Sequence, residues 1–212
     1  MKDIPMFTTE FGVATLILKE VPYRQIAYII IQSAQQPEEL LKECISFCRM
    51  LGAERIYARG GCECVESYPL HTVVYEMRGS ISVDGDKVEN LWPVTKETVG
   101  QWRQILNEHM RNIDNAGTLE ARDEEKILEG GAYFVHRSGE LLGIGWLDGD
   151  ELLSIVSLQP GLGERVLHTL LSVTCPEQLR LDVASTNFRA VRFYEKMGMI
   201  KTSDHRRWYR VL

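Results

Sequence analysis

Apolar positions in the first third of the chain recur at spacings that predict both strands and a helix. Runs of apolar and β-branched residues of strand length predict strands at residues 12–18, 26–32, 54–60 and 71–79. Between the second and third strands, apolar residues recur at helical spacing from Leu40 to Leu51. Pro37 suits the first turn of this helix and Gly52 its end, because proline fixes a helical φ and glycine accepts a left-handed one.

A polar stretch at residues 79–90 interrupts the apolar pattern and carries Asp84 and Gly85, a dipeptide typical of turns. We place a domain boundary there, which predicts an N-terminal α/β domain at residues 1–85 and a second domain at 90–212. In the second domain the pattern predicts two helices, three strands, a helix, a strand, a helix and a strand, at residues 97–113, 121–129, 132–158, 161–173, 179–185, 187–198 and 206–212. Antiparallel strands followed by a strand–helix–strand unit predict an α/β fold, a mixed sheet with helices on both faces.

Composition and charge limit the class of partner more than the fold. The chain has 212 residues, of which 44% are hydrophobic and 25% charged, as in an ordinary soluble globular protein. The net charge of -6 repels phosphate backbones, so we expect no nucleic acid as a partner. The apolar runs are far shorter than the ~20 residues that span a bilayer, and the N-terminus lacks the apolar core of a signal peptide. We therefore expect a cytoplasmic protein that does not bind membranes.

The cysteines allow two interpretations. Of the five, Cys44, Cys48, Cys62 and Cys64 lie close together in sequence, as CxxxC followed by CxC. Such a group could hold a structural zinc ion. Alternatively, Cys44 and Cys48 lie one turn apart on the buried face of the predicted helix, since free cysteine is often a small buried apolar residue. We favour this alternative and expect no metal, because structural zinc sites usually use CxxC pairs.

The most specific motif is LDVASTNFRAVRFYEKMGM at residues 181–199. It resembles the closing segment of the GNAT acetyltransferases, in which a strand leads through an asparagine into a helix of pattern N-x-x-A-x-x-[LF]-Y-E-K-x-G-[FM]. The residues that carry the resemblance are Asn187, Ala190, Phe193, Tyr194, Glu195, Lys196, Gly198 and Met199. The resemblance implies a GNAT-like acyl-CoA N-acyltransferase fold for the C-terminal domain.

Helix geometry agrees with the site that this resemblance implies. Asn187 can cap the helix and still offer its amide to a ligand. Asn187 and Tyr194 are two turns apart, so they lie on one helix face with a separation of ~10 Å along the axis. The resemblance implies that Asn187 and Ala190 line the pantetheine arm of acetyl-CoA and that the Tyr194 hydroxyl protonates the departing thiolate. Tyr194 as a simple core aromatic is the alternative.

A second signal is the sequence VSLQPGLGERVLHTLL at residues 156–171, where a strand leads through glycines into a helix. The first amides of a helix are free to bind an anion. The resemblance implies acyl-CoA contacts along this strand and turn, at Ile155, Val156, Ser157, Leu158, Gly161, Leu162, Gly163, Glu164 and Arg165. The turn is one residue shorter than the family pattern [QR]-x-x-G-x-[GA], since Gln159 lies too close to Gly161. A plain strand-to-helix turn is the alternative.

The order strand, strand, helix, strand occurs twice, at residues 12–59 and 141–185. One interpretation is that the N-terminal domain is a degenerate, partial GNAT-like lobe that lacks the parts that contact CoA. Coincidence is the other interpretation, because strand–helix–strand units are common.

The resemblance implies an N-acetyltransferase that moves an acetyl group from acetyl-CoA to a primary amine of a small molecule or peptide, by direct attack in a ternary complex. Glu151 is the first candidate for a general base, because its predicted strand continues into the glycine turn. A non-catalytic acyl-CoA-binding sensor and an interaction scaffold are the alternatives. A homodimer is a further expectation.

Overall fold

The computed structural model describes residues 1–212 except for the side chain of His205. Its strands are β1 (Ile4–Thr9), β2 (Gly12–Ile17), β3 (Ile26–Ala34), β4 (Arg55–Arg59), β5 (Leu70–Gly79), β6 (Asn90–Pro93), β7 (Gly131–Arg137), β8 (Glu140–Asp148), β9 (Glu151–Ser157), β10 (Leu179–Ala184) and β11 (Ile200–Arg210). Its α-helices are α1 (Val21–Arg24), α2 (Pro37–Met50), α3 (Glu63–Glu66), α4 (Val99–Met110), α5 (Glu124–Glu129), α6 (Gly163–Thr174) and α7 (Phe188–Lys196). Short 3-10 helices lie at Gly85–Lys87 and Ala121–Asp123.

The predicted mixed α/β class is confirmed, and each predicted element is present within a few residues, apart from the last strand, which begins six residues earlier than predicted. Sequence reasoning missed β1 and β6. Each lies at the outer edge of its sheet, and neither contains a fully buried residue. An edge strand that buries so little carries no strong alternation of apolar and polar positions, so its sequence resembles a loop.

The chain forms two compact units. Unit 1 comprises Met1–Val74 and Asp204–Leu212, and unit 2 comprises Tyr75–Ser203, so β5 and β11 are each divided between them. The predicted domains, residues 1–85 and 90–212, stay a prediction. No helix among the described residues combines the length and the apolar character needed to cross a membrane.

Unit 1 contains a sheet in the order β1, β2, β3, β4, then residues 204–210 of β11 and residues 70–74 of β5. Strands β3 and β4 are parallel and are connected by α2. Cys44 and Cys48 lie on the buried face of α2 and are fully buried, so the interpretation of this pair as core residues is confirmed. Burial raises the pKa of both thiols to about 12.

Unit 2 contains a sheet in the order β6, β7, β8, β9, β10, then residues 75–79 of β5 and residues 200–203 of β11. Helices α4 and α5 share one apolar cluster with Phe134, Ile144 and Val156, whereas α6 and α7 share another with Leu152 and Leu181. The helices therefore cover both faces. Helix α6 approaches β8 closely, because glycines at positions 143 and 145 leave room for the side chains of the helix, and a side chain at position 145 would collide with Leu170.

Candidate functional site

The parallel strands β9 and β10 of unit 2 are paired at one end only. Their ladder has a single matched position, Arg180 opposite Glu151, at the start of both strands. On its other side, β9 pairs with the antiparallel strand β8 along its whole length. The edge of β9 that faces β10 is therefore unpaired beyond its first residue among the described residues. Ligands of open α/β sheets bind at the carboxyl ends of parallel strands, and this opening lies at such a place.

A β-bulge explains why the pairing ends so early. Leu147 is opposite Leu152, whereas the adjacent Trp146 is opposite Ser154, so Leu153 is an extra residue in β9. A bulge bends its strand and increases the local twist. The bend follows directly after the paired position, and it separates the rest of β9 from β10. Leu153 is 42% exposed, in agreement with a residue outside the regular ladder.

The free edge of β9 presents backbone groups of defined residues. The Leu158 N–H donates to the Leu142 carbonyl of the β8 side at 2.8 Å. Backbone groups alternate in direction along an antiparallel ladder, so those of Val156 also face β8. The N–H and C=O groups of Ile155 and Ser157 consequently face the opening. Of the four strand residues predicted to contact a ligand, these two offer backbone groups, whereas Val156 and Leu158 lie in the apolar cluster with α4.

The start of helix α6 lies at the carboxyl end of β9. Gly161 has a φ of 85°, a left-handed conformation that turns the chain from the strand into the helix. The N-cap residue Leu162 provides no side-chain cap. The first N–H groups of a helix have no partner within the helix, so those after Leu162 are free to bind an anion. A side chain at Gly163 would make only ordinary contact with Phe193.

Helix α7 starts at the carboxyl end of β10. Its N-cap is Asn187, whose Oδ1 accepts from the Ala190 N–H at 3.2 Å, as the capping pattern predicts. This bond uses the amide oxygen and leaves the amide nitrogen as a donor. Tyr194 is buried, with 7% of the residue exposed, and its ring contacts the Phe193 ring at 5.2 Å between centroids. Burial raises the pKa of the Tyr194 phenol above its usual value, so the hydroxyl stays protonated at neutral pH.

Comparison with known proteins gave no match to any family model or curated protein, but many solved structures are similar. A GCN5-related N-acetyltransferase from Anabaena variabilis has a TM-score of 0.58 at 10% identity, over 94% of this chain and 58% of that one. A GNAT-family acetyltransferase from Colwellia psychrerythraea has a TM-score of 0.50 at 12% identity, over 97% of this chain and 84% of that one. A functionally unknown conserved protein from Staphylococcus epidermidis has a TM-score of 0.55 at 8% identity, over 96% and 91%.

The chain has the GNAT acetyltransferase fold. At such low identities, the likeness concerns the fold alone.

Charges at the start of α6 are paired with one another. The Lys87 ammonium donates to Glu164 at 2.8 Å, and Lys196 lies 3.5 Å from the same carboxylate. The hydrogen bond from Lys87 is the main reason that the pKa of Glu164 is lowered. Arg165, predicted to contribute positive charge, forms an ion pair with Glu89 at 2.8 Å. The Asp84 carboxylate lies 3.1 Å from the Lys87 ammonium, so three cations and three carboxylates surround the turn.

Residues 80–89 cross α6 and hold Lys87 at this turn. The Asp84 N–H donates to Nδ1 of His168 at 3.2 Å, and the Glu89 N–H donates to Oγ1 of Thr169 at 2.9 Å. Both acceptors are buried side chains of α6. Sequence reasoning missed Lys87 as a site residue. It lies 77 positions before Glu164 and has no local motif, so nothing in the pattern signals its position.

Glu151, the predicted base, lies at the paired end of the opening. Its Oε2 accepts from Nη2 of Arg180 at 2.7 Å, and both side chains are partly exposed. Because the carboxylate forms an ion pair with Arg180, the role of Glu151 as a general base stays a prediction.

Two hydroxyl groups near the opening were also missed. Oγ of Ser154, directly after the bulge, and Oγ1 of Thr186, directly before Asn187, are buried without a hydrogen-bond partner among the described residues. Buried polar groups are nearly always satisfied, so each of these hydroxyls is a candidate for a bond to a ligand or an ordered water. The signal for Ser154 was a polar residue inside the otherwise apolar run LLSIV.

Proposed function

We propose that the protein is a GNAT-type N-acetyltransferase that transfers the acetyl group of acetyl-CoA to a primary amine of a small molecule or peptide. The observation that supports this most is the free edge of β9 beyond the Leu153 bulge, which lies between the starts of α6 and α7. The glycine turn and the asparagine-capped helix lie at the carboxyl ends of the two diverging strands. The GNAT fold adds general support for an acyltransferase role.

The groups around the opening fit acetyl-CoA. The backbone groups of Ile155 and Ser157 would pair with the amides of the pantetheine arm, as an added strand would. The free N–H groups after Leu162 would bind the pyrophosphate, because a helix start attracts anions. Lys87 and Lys196 would add positive charge there. The amide nitrogen of Asn187 would donate to the arm.

The chemistry requires charge stabilisation and one proton for the leaving group. A backbone N–H beside the bulge would polarise the thioester carbonyl, since oxygen gains negative charge as the amine attacks. The C–N bond forms, the C–S bond breaks, and the Tyr194 hydroxyl would give its proton to the sulfur. The attacking nitrogen loses a proton, for which Glu151 is the proposed acceptor. A phenol of raised pKa regains its proton readily, so Tyr194 would be ready for the next turnover.

A non-catalytic acyl-CoA-binding protein is the second candidate. It is favoured by the ion pairs that occupy Arg165 and Glu151, and by the turn that is one residue shorter than the family pattern. Such a protein would bind acetyl-CoA but would not use it.

Two measurements on the full chain test the proposal. Calorimetric titration with acetyl-CoA should give heat and a saturable isotherm. Release of free thiol should then be followed with a panel of primary amines, amino acids and peptide N-termini. Thiol release that depends on one acceptor class supports the acetyltransferase. Binding without release from any acceptor favours the second candidate, and absence of binding rules out both.

A further inference from the structure

The CxC motif of unit 1 has a geometry that the proposed function does not use. Cys62 and Cys64 lie between β4 and β5, and their Sγ atoms are 3.0 Å apart. Both side chains are partly buried against the apolar cluster around α2. The two sulfur atoms are close enough for one thiol to donate a hydrogen bond to the other.

The backbone holds the two cysteines at a distance that suits a disulfide. Glu63 is the first residue of α3, so the chain bends through one helical residue between Cys62 and Cys64. Helix geometry places residues two apart at a Cα separation of ~5.4 Å, within the range of ~4.4–6.8 Å found for disulfides. The Cys62 carbonyl accepts from the N–H groups of Val65 and Glu66 at 3.1 and 3.3 Å, which fixes this turn.

A metal site does not account for the pair. Among the described residues, no group of three or more His, Cys, Asp or Glu side chains is arranged to hold a metal ion. Cys44 and Cys48, the other half of the sequence cluster, are fully buried in α2. Two sulfurs in contact without a third ligand are better suited to sulfur–sulfur chemistry.

We propose that Cys62 and Cys64 form a redox-active dithiol, which closes to a reversible intramolecular disulfide by exchange with a low-molecular-weight disulfide such as oxidised glutathione. Exchange proceeds through a mixed disulfide. The thiolate of the first cysteine attacks one sulfur of the oxidant, and one glutathione thiolate leaves. The second cysteine loses its proton and attacks the first, the new S–S bond forms, and the second glutathione thiolate leaves. The two cysteines lose two electrons and two protons, and two glutathione thiols are produced.

The order of attack follows from the surroundings of the two sulfurs. Burial, and then the hydrogen bond with Cys62, raise the pKa of Cys64 to about 12. Either sulfur can be the donor of the bond, and the raised pKa of Cys64 favours Cys62 as the cysteine that attacks first. A thiolate is the reactive form in exchange. Cys64 then resolves the mixed disulfide, because its sulfur is already in contact with that of Cys62.

Peptide mapping of the full chain tests the proposal. The Cys175→Ser variant removes the exposed cysteine, which would otherwise react on its own. The folded variant is equilibrated with glutathione buffers of increasing oxidised fraction, quenched with acid, alkylated and digested with trypsin. Cys62 and Cys64 fall in the tryptic peptide 60–78, whereas Cys44 and Cys48 fall in peptide 43–49 and serve as an internal control. Peptide 60–78 should lose the mass of two hydrogens and both alkylation sites, and dithiothreitol should restore them.

Single substitutions in the Cys175→Ser variant show whether Cys62 and Cys64 react together to form a disulfide or react as two independent thiols. Cys64→Ser should accumulate one stable glutathione adduct on Cys62. Cys62→Ser should form an adduct on Cys64 more slowly, since burial disfavours the thiolate of Cys64. The proposal is overturned if peptide 60–78 of the folded protein keeps two alkylatable thiols in the most oxidising buffer, or carries two glutathiones. A disulfide that joins either cysteine to peptide 43–49 overturns it as well.

Discussion

The parallel pairs β3–β4 and β9–β10 share a connection and differ in how far they are paired. Each first strand follows an antiparallel neighbour and leads through one long helix, α2 or α6, into its parallel partner. The pair in unit 1 is matched at five positions, from Ile26 opposite Arg55 to Ile30 opposite Arg59. The pair in unit 2 is matched at one. The repeated order predicted from sequence is thus present as a repeated topology.

The position of a bulge accounts for the difference. In β3 the register with β2 shifts so that Gln32 is the extra residue, after the stretch that pairs with β4. In β9 the extra residue is Leu153, two positions after the paired residue. A late bulge leaves a closed, buried ladder, in which Ile26, Ala27 and Ile29 are almost completely buried. An early bulge leaves a free edge.

The N-terminal ends of the two connecting helices also differ in how well they suit an anion. Helix α2 begins with Pro37, which has no N–H, and its first turn carries Glu38 and Glu39. Both features disfavour an anion at that end. Helix α6 begins at Gly163 with a free first turn, and the carboxylate of Glu164 is held by Lys87. The two units therefore share a topology but differ in their suitability for an anionic ligand. Among the described residues, only unit 2 combines a free strand edge with a helix start whose N–H groups are unpaired and have lysines nearby.

Deletion of Leu153 should have the largest effect. The deletion removes the bulge but keeps Leu152 and Ser154 on their present faces, because they would become ordinary alternating neighbours. We expect β9 to pair further along β10 and acetyl-CoA affinity to fall at least ~10³-fold, about 4 kcal/mol. Calorimetric titration measures the affinity.

Deletion of Gln32, the matching bulge of β3, is the control. It should leave acetyl-CoA affinity unchanged in a protein whose circular dichroism spectrum is native. If both deletions reduce binding equally in folded proteins, the bulge of β9 has no special role.

Tyr194→Phe should lower kcat by ~10²-fold with little change in acetyl-CoA affinity. The ring and its packing are retained, and only the proton donor for the thiolate is lost. Tyr133→Phe, in the same apolar cluster, is the control and should keep full activity. Steady-state thiol release and calorimetry separate the two parameters. Full activity of Tyr194→Phe would assign the residue to packing.

Lys87→Met should weaken acetyl-CoA binding about 10-fold, about 1.4 kcal/mol, and reduce its salt dependence. The substitution removes a cation from the start of α6 and leaves the Glu164 carboxylate, beside the expected phosphates, with the longer contact to Lys196 at 3.5 Å. Lys42→Met removes an exposed ion pair with Glu39 on α2 and is the control. Equal affinities of the two variants would contradict the role given to Lys87.

His168 should give a small dependence of stability on pH. Burial lowers its pKa from 6.5, so the unfolded state binds a proton more readily than the native state. The contribution of His168 to the free energy of unfolding is complete above pH 6.5. It is lost as the pH falls from 6.5 toward the lower pKa of His168 in the native state. Between pH 7 and pH 5, the Tm of the wild-type protein should therefore fall more steeply than the Tm of His168→Asn. Parallel curves would show that His168 does not contribute.

The sequence predicted the elements and the two helix starts because these depend on local pattern. Apolar spacing located α2, α4 and α6, and the motif around Asn187 located the cap of α7. The bulge could not be predicted, since Leu153 lies in an apolar run in which an extra residue leaves no periodic signal. Lys87, and the pairing of Glu151 with Arg180, depend on contacts between distant segments. The helix starts of the site were therefore predictable from the sequence, whereas the free edge of β9 was not.

Amide hydrogen exchange at β9, resolved by NMR with and without acetyl-CoA, tests whether the free edge of β9 binds acetyl-CoA. We expect the N–H groups of Ile155 and Ser157, which face the opening, to become protected when acetyl-CoA is added. Those of Val156 and Leu158 face β8 and should change little. If Ile155 and Ser157 are not protected under saturating acetyl-CoA, or if protection appears at β3 and β4 instead, the free edge of β9 does not bind acetyl-CoA.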